Sequence, residues 1–549
     1  MLYTSISRIV GFYFLIFSAV LLLPLSLSLY YQWSNDPVFH PQPYVTIDFL
    51  YTLLISLLLS AILLYYGRNA IGSLFRKEGV AAVVLIWLLT PAISSVPFLT
   101  SGTLNSFAQA YFEMASGFTT TGSTILYAKK FNDVGLEIPI ERTIGGVQNT
   151  KYLFYGTVKP VRDIKTGEII KEGVEAVERT LLFWRSLTQW LGGGGIVVLF
   201  VAILPILGVG GKVLFQSEVS GPSKGTVTPR IKETAVQLWK IYLFLTAAEI
   251  FLLLVTNDDL PLFDAVTISF STLSTGGFSI KNTSIAGYHN VVSEWIVILF
   301  MIVGSVNFTL YYFVLRGKFF KLYETEFIIF IILITFLSLF SSYLIIDSQK
   351  ITLAGKEDGL FSWGQAFRYG IFQLVSAMSS TGFSTIDYDI WPYTAQAMLW
   401  VAMFFGGMSG STAGGLKTIR LFMLFRIAQY RIESLFRPEN VRLFQVGNWE
   451  VDSSRAAMVL TFFLVAAAAS VFGTIFYIFD GVDMETSIGL VACMVNNTGM
   501  SFRMAGPQYS CAFLTDRGLF ISSFLMILGR LEFYSLLALL VPAFWKRDS

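Results

Sequence analysis

The chain alternates long apolar stretches with shorter apolar stretches that end in small and polar residues. The hydrocarbon core of a bilayer is about 30 Å thick and needs about 20 apolar residues per helical span. Ten stretches are long enough to be full spans, and they lie near residues 9–31, 44–66, 79–99, 181–208, 236–255, 291–315, 325–346, 394–425, 455–479 and 518–545. The pattern therefore predicts an all-α polytopic membrane protein.

Four half-length apolar segments lie between these spans and are too short to cross a bilayer. They lie near residues 106–119, 262–274, 366–380 and 484–497, and each ends at a Thr-Gly pair. Nonhelical backbone at membrane depth is tolerated only where it is buried in protein or lines a water-filled cavity. The sequence therefore predicts a leading two-helix hairpin followed by four helix, pore-loop, helix repeats whose turns meet at one pore.

This organisation divides the chain into five parts. The leading hairpin covers 1–77, and the four pore repeats cover 78–212, 213–322, 323–447 and 448–549. The first repeat contains an insert at about 127–180, which is mixed in charge and has a predicted hairpin turn at 163–168. We expect the insert to form a small extracytoplasmic cap, either as a plain surface loop or with a role in ion entry.

Composition supports a membrane protein, because 54% of the residues are hydrophobic and only 13% are charged. The mean hydropathy of +0.65 lies outside the range of ordinary soluble domains. The net charge of +2 gives no indication of a nucleic acid partner. Basic residues follow every even-numbered span, at Arg68, Arg76, Lys77, Lys212, Lys224, Arg230, Lys232, Arg316, Lys318, Lys321, Arg420, Arg426, Arg431, Arg437, Arg442, Lys546 and Arg547. The positive-inside rule then places both termini in the cytoplasm. We expect the chain to be a multi-pass protein of the plasma (inner) membrane.

The four turns have the residues that a cation filter requires. Rings of backbone carbonyls replace the water of a dehydrated monovalent cation, and glycine allows the backbone conformations that aim those carbonyls at one axis. The carboxyl ends of the preceding half-helices add partial negative charge. A single Thr-Gly pair would be a helix cap, but four in equivalent places predict a filter. Its residues are Thr120, Thr121, Gly122, Ser274, Thr275, Gly276, Ser380, Thr381, Gly382, Asn497, Thr498 and Gly499.

The eighth span contains a run at 406–415 that is rich in Gly, Ser and Thr and has poor helix propensity. It should break the helix into two halves and form a movable gate beneath the filter. The gate residues predicted here are Gly406, Gly407, Gly410, Ser411, Thr412, Gly414 and Gly415. Gly304 and Gly529 also interrupt their spans, although close helix packing explains single glycines equally well.

Arg530 lies in the middle of an apolar span, where an ionisable residue usually faces a cavity or a partner. Residues two apart do not share a helical face, so we do not expect Glu532 to be its partner. We expect Arg530 to face the pore as an electrostatic barrier or as a latch for the gate, with a structural ion pair as the alternative.

The remaining polar residues leave open questions. Asp387 and Asp389 follow the third turn and could either concentrate cations at an outer mouth or be solvated loop acids. Cys493 and Cys511 could be bonded or free. His40 and His289 have no metal-ligand spacing, and we predict no catalytic residue and no bound organic cofactor.

With these residues identified, the chain resembles the Trk/Ktr/HKT superfamily of potassium transporters, and within it the TrkH type that has an extra leading hairpin. The resemblance covers nearly the whole chain. It rests on the four turns and on residues 184–193, 196–198, 221–224, 228–231, 410–417 and 528–532. The insert at 127–180 is larger than the usual outer loop of the family, so nothing about the outer entrance is carried over.

The resemblance implies potassium uptake through a pseudo-fourfold pore, with a gate loop in the third repeat. It also implies a homodimer in membrane lipid and a cytoplasmic TrkA-like regulatory ring that binds NAD or ATP. Relatives with a serine in place of the first filter glycine prefer sodium, so Gly122 implies K⁺ as the transported ion. No nucleotide loop is expected in the chain itself, because 192–195 lacks the Lys-Ser/Thr ending of a phosphate loop.

Three other functions remain open on the sequence. One is the ion-translocating subunit of a potassium-pumping ATPase, which shares the four-repeat plan, and another is a Na⁺-permeable relative. The third is a polytopic membrane enzyme, which would need a nucleophile and base or a metal cluster, and the spans contain no His-based set of this kind.

Overall fold

The computed structural model describes residues 3–34, 43–70, 76–145, 149–163, 166–195, 231–350, 353, 359–436, 445–446, 449–450 and 453–546. The described chain is mostly helical. The helices are α1 (Tyr3–Ser34), α2 (Thr46–Tyr66), α3 (Arg76–Ser94), α4 (Val96–Thr100), α5 (Phe107–Phe118), α6 (Arg179–Gly193), α7 (Ile231–Thr256), α8 (Leu262–Leu273), α9 (Val291–Ser305), α10 (Phe308–Leu315), α11 (Thr325–Leu344), α12 (Trp363–Met378), α13 (Tyr393–Phe404), α14 (Thr418–Phe436), α15 (Ser453–Phe479), α16 (Met484–Asn496), α17 (Asp516–Arg530), α18 (Tyr534–Leu540) and α19 (Pro542–Trp545).

Strands are short and pair only in twos within the described residues. The insert contains three antiparallel hairpins, β1 with β2, β3 with β4, and β5 with β6. The strands are β1 (Lys130–Phe131), β2 (Glu137–Ile138), β3 (Ile140–Ile144), β4 (Thr150–Phe154), β5 (Val161–Arg162), β6 (Ile169–Lys171), β7 (Phe405–Gly406), β8 (Leu416–Lys417), β9 (Gln445–Val446) and β10 (Trp449–Glu450). At the two ends of the turn predicted at 163–168, the N–H of Asp163 donates to the carbonyl of Glu168 at 2.9 Å.

Six described helices are long and apolar enough to cross a membrane, and the number is up to eight if each of two bent pairs is one span. The bent pairs are α9 with α10, at 95°, and α17 with α18, at 119°. The number of ten full spans stays a prediction, because two of the ten segments cannot be counted in this way. The eighth is divided into α13 and α14 by residues 405–417, and the fourth is described only as far as residue 195.

The bends lie just beyond Gly304 and Gly529 rather than at them. A Cβ on Gly304 would lie 2.8 Å from the carbonyl oxygen of Leu273, and one on Gly529 would lie closer than 3.0 Å to that of Val495. Gly192 is equally close to the carbonyl of Phe118. These glycines therefore allow the helix that follows each turn to pack directly against the end of a half-length helix, which is the packing explanation.

The four half-length helices α5, α8, α12 and α16 match the predicted segments to within a few residues. Three of them begin at side-chain caps of the kind that satisfies free N–H groups at a helix start. Ser106 accepts from Gln109, Ser362 forms a capping box with Gln365, and Asp483 accepts from Thr486. We call α5, α8, α12 and α16 the pore helices, after the pore loops that the sequence predicts.

The leading hairpin packs against the first repeat. Helix α1 contacts α2, α3 and α6. The rings of Phe17 and Phe49 both lie about 6 Å from the fully buried indole of Trp184 on α6, with centroid distances of 6.1 Å and 6.0 Å. These contacts hold α6 against the pore helices from behind.

Candidate functional site

All four pore helices end in the same tight turn. One residue in each turn has a left-handed backbone, and these are Thr120, Thr275, Ser380 and Asn497, with φ values of 55°, 54°, 56° and 53°. Such values are rare for a residue that has a side chain and outliers for β-branched ones. The glycine two positions later is also left-handed, at Gly122, Gly277, Gly382 and Gly499, with φ values of 86°, 75°, 85° and 68°.

This repeated geometry shows that the correspondence predicted between the second turn and the other three is wrong by one residue. Gly276 was expected to be the counterpart of Gly122, but Gly277 has the left-handed φ. The amide of Gly276 donates back to the carbonyl of Ser271 at 2.8 Å, as the amide of Thr121 does to Ser116 at 2.9 Å. Gly276 is therefore the counterpart of Thr121, and Ser274 is the C-cap of α8. The second turn has two consecutive glycines, and the sequence alone does not show which of them corresponds to Gly122.

The four turns form a closed ring. A Cβ on Gly122 would lie closer than 3.0 Å to the carbonyl oxygen of Gly276. The same holds for Gly277 with Thr381, for Gly382 with Thr498, and for Gly499 with Thr121. The glycine of each turn thus faces the equivalent carbonyl of the next, in the order of the sequence. Eleven of the twelve predicted filter residues lie in the turns that form this ring. The twelfth, Ser274, directly precedes the second turn.

Polar groups of the ring are buried. Thr120, Thr275, Ser380 and Asn497 are all 0% exposed. The amide nitrogen of Asn497 donates to the hydroxyl of Thr121 at 2.9 Å and links the fourth turn to the first. A cluster of buried main-chain oxygens around a common axis is the kind of site that binds a dehydrated cation.

Side chains that the sequence did not single out support the ring. Arg185 on α6 and Glu113 on α5 form an ion pair of 2.7 Å, and their side chains are 1% and 0% exposed. Glu113 also accepts from the amide of Ile125 at 2.8 Å, and Arg185 donates to the carbonyl of Ser279 at 3.1 Å. The pair thus holds the segments that leave the first and second turns. The sequence contained one signal for this pair, because Glu113 and Arg185 each place a charge within an apolar segment.

The predicted gate segment lies against the turns. Phe405–Gly406 and Leu416–Lys417 pair in parallel and close the base of the loop. The hydroxyl of Thr412 lies 2.9 Å from the carbonyls of both Leu273 and Gly304. The amide of Gly414 donates to the hydroxyl of Ser380 at 2.6 Å. The loop is therefore bonded to the ends of two pore helices and not extended into solvent.

Arg530 connects three parts of this site. Its guanidinium donates to the hydroxyl of Thr120 at 3.1 Å, to the carbonyl of Thr412 at 3.0 Å, and to the carbonyl of Gly192 at 2.7 Å. The guanidinium of Arg530 thus holds the first turn, the gate loop and the end of α6 together. Glu532 accepts from Arg420 at 2.6 Å. It lies beyond the end of α17 and has a left-handed backbone, so the helical spacing used in the prediction does not apply to it.

A cavity of about 300 Å³ lies beside the gate loop. Its walls include Gly193 of α6, Trp239 and Tyr242 of α7, residues 410–415, and Arg530. The predicted gate loop and Arg530 thus contact both the ring and a space large enough for several water molecules.

The acids after the third turn are not freely solvated. Asp387 is 8% exposed and accepts from Gln508 at 2.8 Å. Asp389 accepts from the amide of Arg503 at 2.9 Å, and the Arg503 side chain pairs with Glu485. Burial raises the pKa of Asp389 to about 7, although the amide of Arg503 opposes the shift. These acids hold the loops after the third and fourth turns together.

We expect Asp389 to make the protein less stable as the pH rises. Its pKa in the folded chain lies above the ordinary value of about 3.9, so its stabilising contribution is complete below about pH 4 and is lost as the pH rises through about 7. The unfolding temperature in detergent should fall between pH 5 and pH 8, and it should fall further in the wild type than in Asp389→Asn, by on the order of 1–2 °C. Asp259→Asn, in an exposed loop, is the matched control and should behave as the wild type. An equal fall in all three proteins would contradict this prediction.

The insert is attached to the repeats on either side of it. Tyr152 of β4 donates to Asp483, the N-cap of the fourth pore helix, and Asn282 accepts from the amide of Val174 at 2.8 Å. The insert thus reaches from the fourth repeat to the second across the first.

Cys493 and Cys511 are both buried and free.

Some predicted features lie outside the described residues. They are His40, residues 196–230 with the basic residues Lys212, Lys224 and Arg230, and the basic residues Arg437, Arg442 and Arg547. The described residues contain no group of three or more His, Cys, Asp or Glu side chains that could hold a metal ion.

Comparison with known proteins agrees over the full chain. Residues 164–547 match the model of the TrkH family, described as cation transport protein. The Trk system potassium uptake protein TrkH of Salmonella typhimurium is 31% identical over 99% of both chains, and that of Escherichia coli K12 is 30% identical over 99% of both. The crystal structure of the potassium transporter TrkH from Vibrio parahaemolyticus superposes with a TM-score of 0.77, at 29% identity and with all of both chains covered. The all-α polytopic prediction is therefore confirmed, and the chain belongs to the TrkH family of cation transport proteins.

Proposed function

We propose that this protein takes up potassium across the plasma membrane by gated, channel-like permeation through the ring of four turns. The single observation that supports this most is the closed cycle in which the glycine of each turn faces a carbonyl of the next. The relatives named above are potassium uptake proteins, and K⁺ is the proposed cargo.

The ring has the chemistry that a monovalent cation needs. Main-chain carbonyls of Thr121, Gly276, Thr381 and Thr498 would replace the hydration shell, and the absence of a fixed negative charge among these residues would let the ion leave again. The carboxyl ends of the pore helices point at the ring and would favour a cation through their partial negative charge. Glycine at position 122 agrees with the preference for K⁺ over Na⁺ that the family resemblance implies.

The gate in this proposal is the loop 406–415 together with Arg530. In the observed arrangement the loop is bonded to Leu273 and Gly304 through Thr412, and Arg530 holds the loop to the first turn. A guanidinium beneath the ring would also repel an ion that leaves it. Permeation then requires the loop and Arg530 to move away from the ring.

Regulation and orientation follow from the same proposal. Both termini and the basic loops after even-numbered spans face the cytoplasm by the positive-inside rule. A TrkA-like ring that binds NAD or ATP would act on that face, and the chain would form a homodimer in membrane lipid. Asp387 and Asp389 then lie at the outer mouth, where the insert also lies.

Uptake of rubidium tracer into liposomes tests the proposed function. Protein reconstituted in the presence of a K⁺ gradient should accumulate rubidium, and K⁺ should compete with the tracer at lower concentrations than Na⁺. Because a closed gate would hide permeation, the measurement should include the wild type and a variant with the Arg530 contacts removed. Uptake no greater than that of protein-free liposomes in both proteins would contradict the proposal.

A further inference from the structure

The second turn is held by a side chain from the first repeat. Gln189 on α6 is 0% exposed. Its amide nitrogen donates to the carbonyl of Gly276 at 2.6 Å, and its amide oxygen accepts from the N–H of Phe278 at 3.0 Å. The two bonded groups lie on either side of Gly277, so one amide fixes both peptide planes that flank the left-handed glycine.

The bonded carbonyl is one of the four that form the ring. Gly276 is the counterpart of Thr121, Thr381 and Thr498, and its oxygen is the atom that faces Gly122. A hydrogen bond from Gln189 therefore sets the position of a proposed cation ligand. It also draws electron density from that oxygen, so that this ligand interacts with an ion differently from its counterparts.

A second contact from the same helix supports this assignment. Arg185 lies four residues before Gln189, so the two share a helical face. Arg185 donates to the carbonyl of Ser279 at 3.1 Å and lies over the ring of Phe278 at 4.1 Å. The residues that follow the second turn are thus held by α6 at two levels, and the arginine is fixed in turn by its buried pair with Glu113.

We propose that Gln189 is a positioning residue that sets the discrimination between K⁺ and Na⁺, by fixing the Gly276 carbonyl in the ring. This inference rests on the proposed function. Selectivity depends on the number, position and field strength of the coordinating carbonyls. Without the amide, the peptide groups around Gly277 are free to rotate, and the ring adapts to the smaller ion.

The test compares ion binding in the full-length protein with leucine at this position. For each protein, the concentration of K⁺ and the concentration of Na⁺ that raise the unfolding temperature half-maximally are measured and compared. In Gln189→Leu, the preference for K⁺ over Na⁺ should fall by about tenfold, because one or two hydrogen bonds that position the Gly276 carbonyl are lost. The unfolding temperature in choline chloride, which lacks both ions, should stay near that of the wild type. Competition of K⁺ and Na⁺ with rubidium uptake should shift in the same direction.

Two further variants keep the result interpretable. Gln189→Met preserves the length of the side chain but has no N–H to donate to Gly276, so it should lose discrimination as well even if the leucine variant does not fold. Gln373→Leu is the matched control, since Gln373 is equally buried but donates to the hydroxyl of Thr385 at 3.3 Å. It should keep the wild-type ratio.

The outcomes separate the two proposals. If the wild type discriminates between the ions and both Gln189 variants discriminate equally well, the assignment of Gln189 is overturned. The same conclusion follows if K⁺ and Na⁺ weaken equally, or if Gln373→Leu loses as much discrimination. If the wild type itself does not distinguish K⁺ from Na⁺, the proposed function fails, and the inference fails with it.

Discussion

Replacing Gly277 by alanine should reduce cation uptake to the level of protein-free liposomes, whereas replacing Gly276 by alanine should not. Gly277 has a φ of 75°, and its Cβ would meet the carbonyl oxygen of Thr381 in the ring. Alanine would therefore strain the backbone, at about 1–3 kcal/mol, and place a methyl group at the proposed ion path. A Cβ on Gly276 meets instead the amide of Gln189. Displacing that amide should weaken the discrimination between K⁺ and Na⁺, as in Gln189→Leu, but should leave the path open to rubidium.

This pair of variants tests the register of the second turn as well as the filter. Rubidium uptake should be measured in both proteins after reconstitution at equal amounts, with the unfolding temperature in detergent as a check that each is folded. Reading the sequence alone would assign the essential position to Gly276. Uptake that is lost in Gly276→Ala and kept in Gly277→Ala would contradict the ring described here.

Replacing Arg530 by methionine should raise the uptake of rubidium in the absence of any cytoplasmic partner by about tenfold to a hundredfold. The substitution removes the bonds to Thr120, Thr412 and Gly192 and the positive charge beneath the ring. Each hydrogen bond to a charged group contributes about 1.5–3 kcal/mol, so the closed arrangement should lose most of its advantage over an open one.

Removal of part of the loop 406–415 should have the same effect, because the loop bears the carbonyl that Arg530 holds. Arg426→Met is the control for the loss of a charged side chain, since Arg426 is exposed on α14 and pairs with Gln429. It should show the wild-type leak. Loss of all uptake in folded Arg530→Met would indicate that Arg530 is needed for the structure of the ring and not for its closure.

Much of the architecture was accessible from the sequence. The apolar stretches located the helices because a bilayer imposes a minimum length on each span and requires backbone bonds to be satisfied within it. The same constraint made the half-length segments stand out, and α5, α8, α12 and α16 begin and end close to the predicted limits. The Gly-rich run at 406–415 likewise separates α13 from α14, since its residues have poor helix propensity.

Other features could not be read in this way. The helix breaks after Gly304 and Gly529 fall where packing requires close approach to the pore helices, and the residues that turn the chain after Arg530 are Glu532 and Phe533, with φ values of 55° and 62°. Neither residue type announces a left-handed backbone. Gln189 and Arg185 both donate to carbonyls in another repeat, those of Gly276 and Ser279, at sequence separations of 87 and 94.

The sequence by itself determined that this is a helical membrane protein with four equivalent turns, because hydrophobicity and glycine content are local properties that need no partner to be recognised. Only the tertiary structure decided that Gly277 and not Gly276 is the counterpart of Gly122, that each turn faces the next in a closed ring, and that α6 holds the second turn. Those features depend on distances between separate repeats, which packing fixes and local composition does not encode.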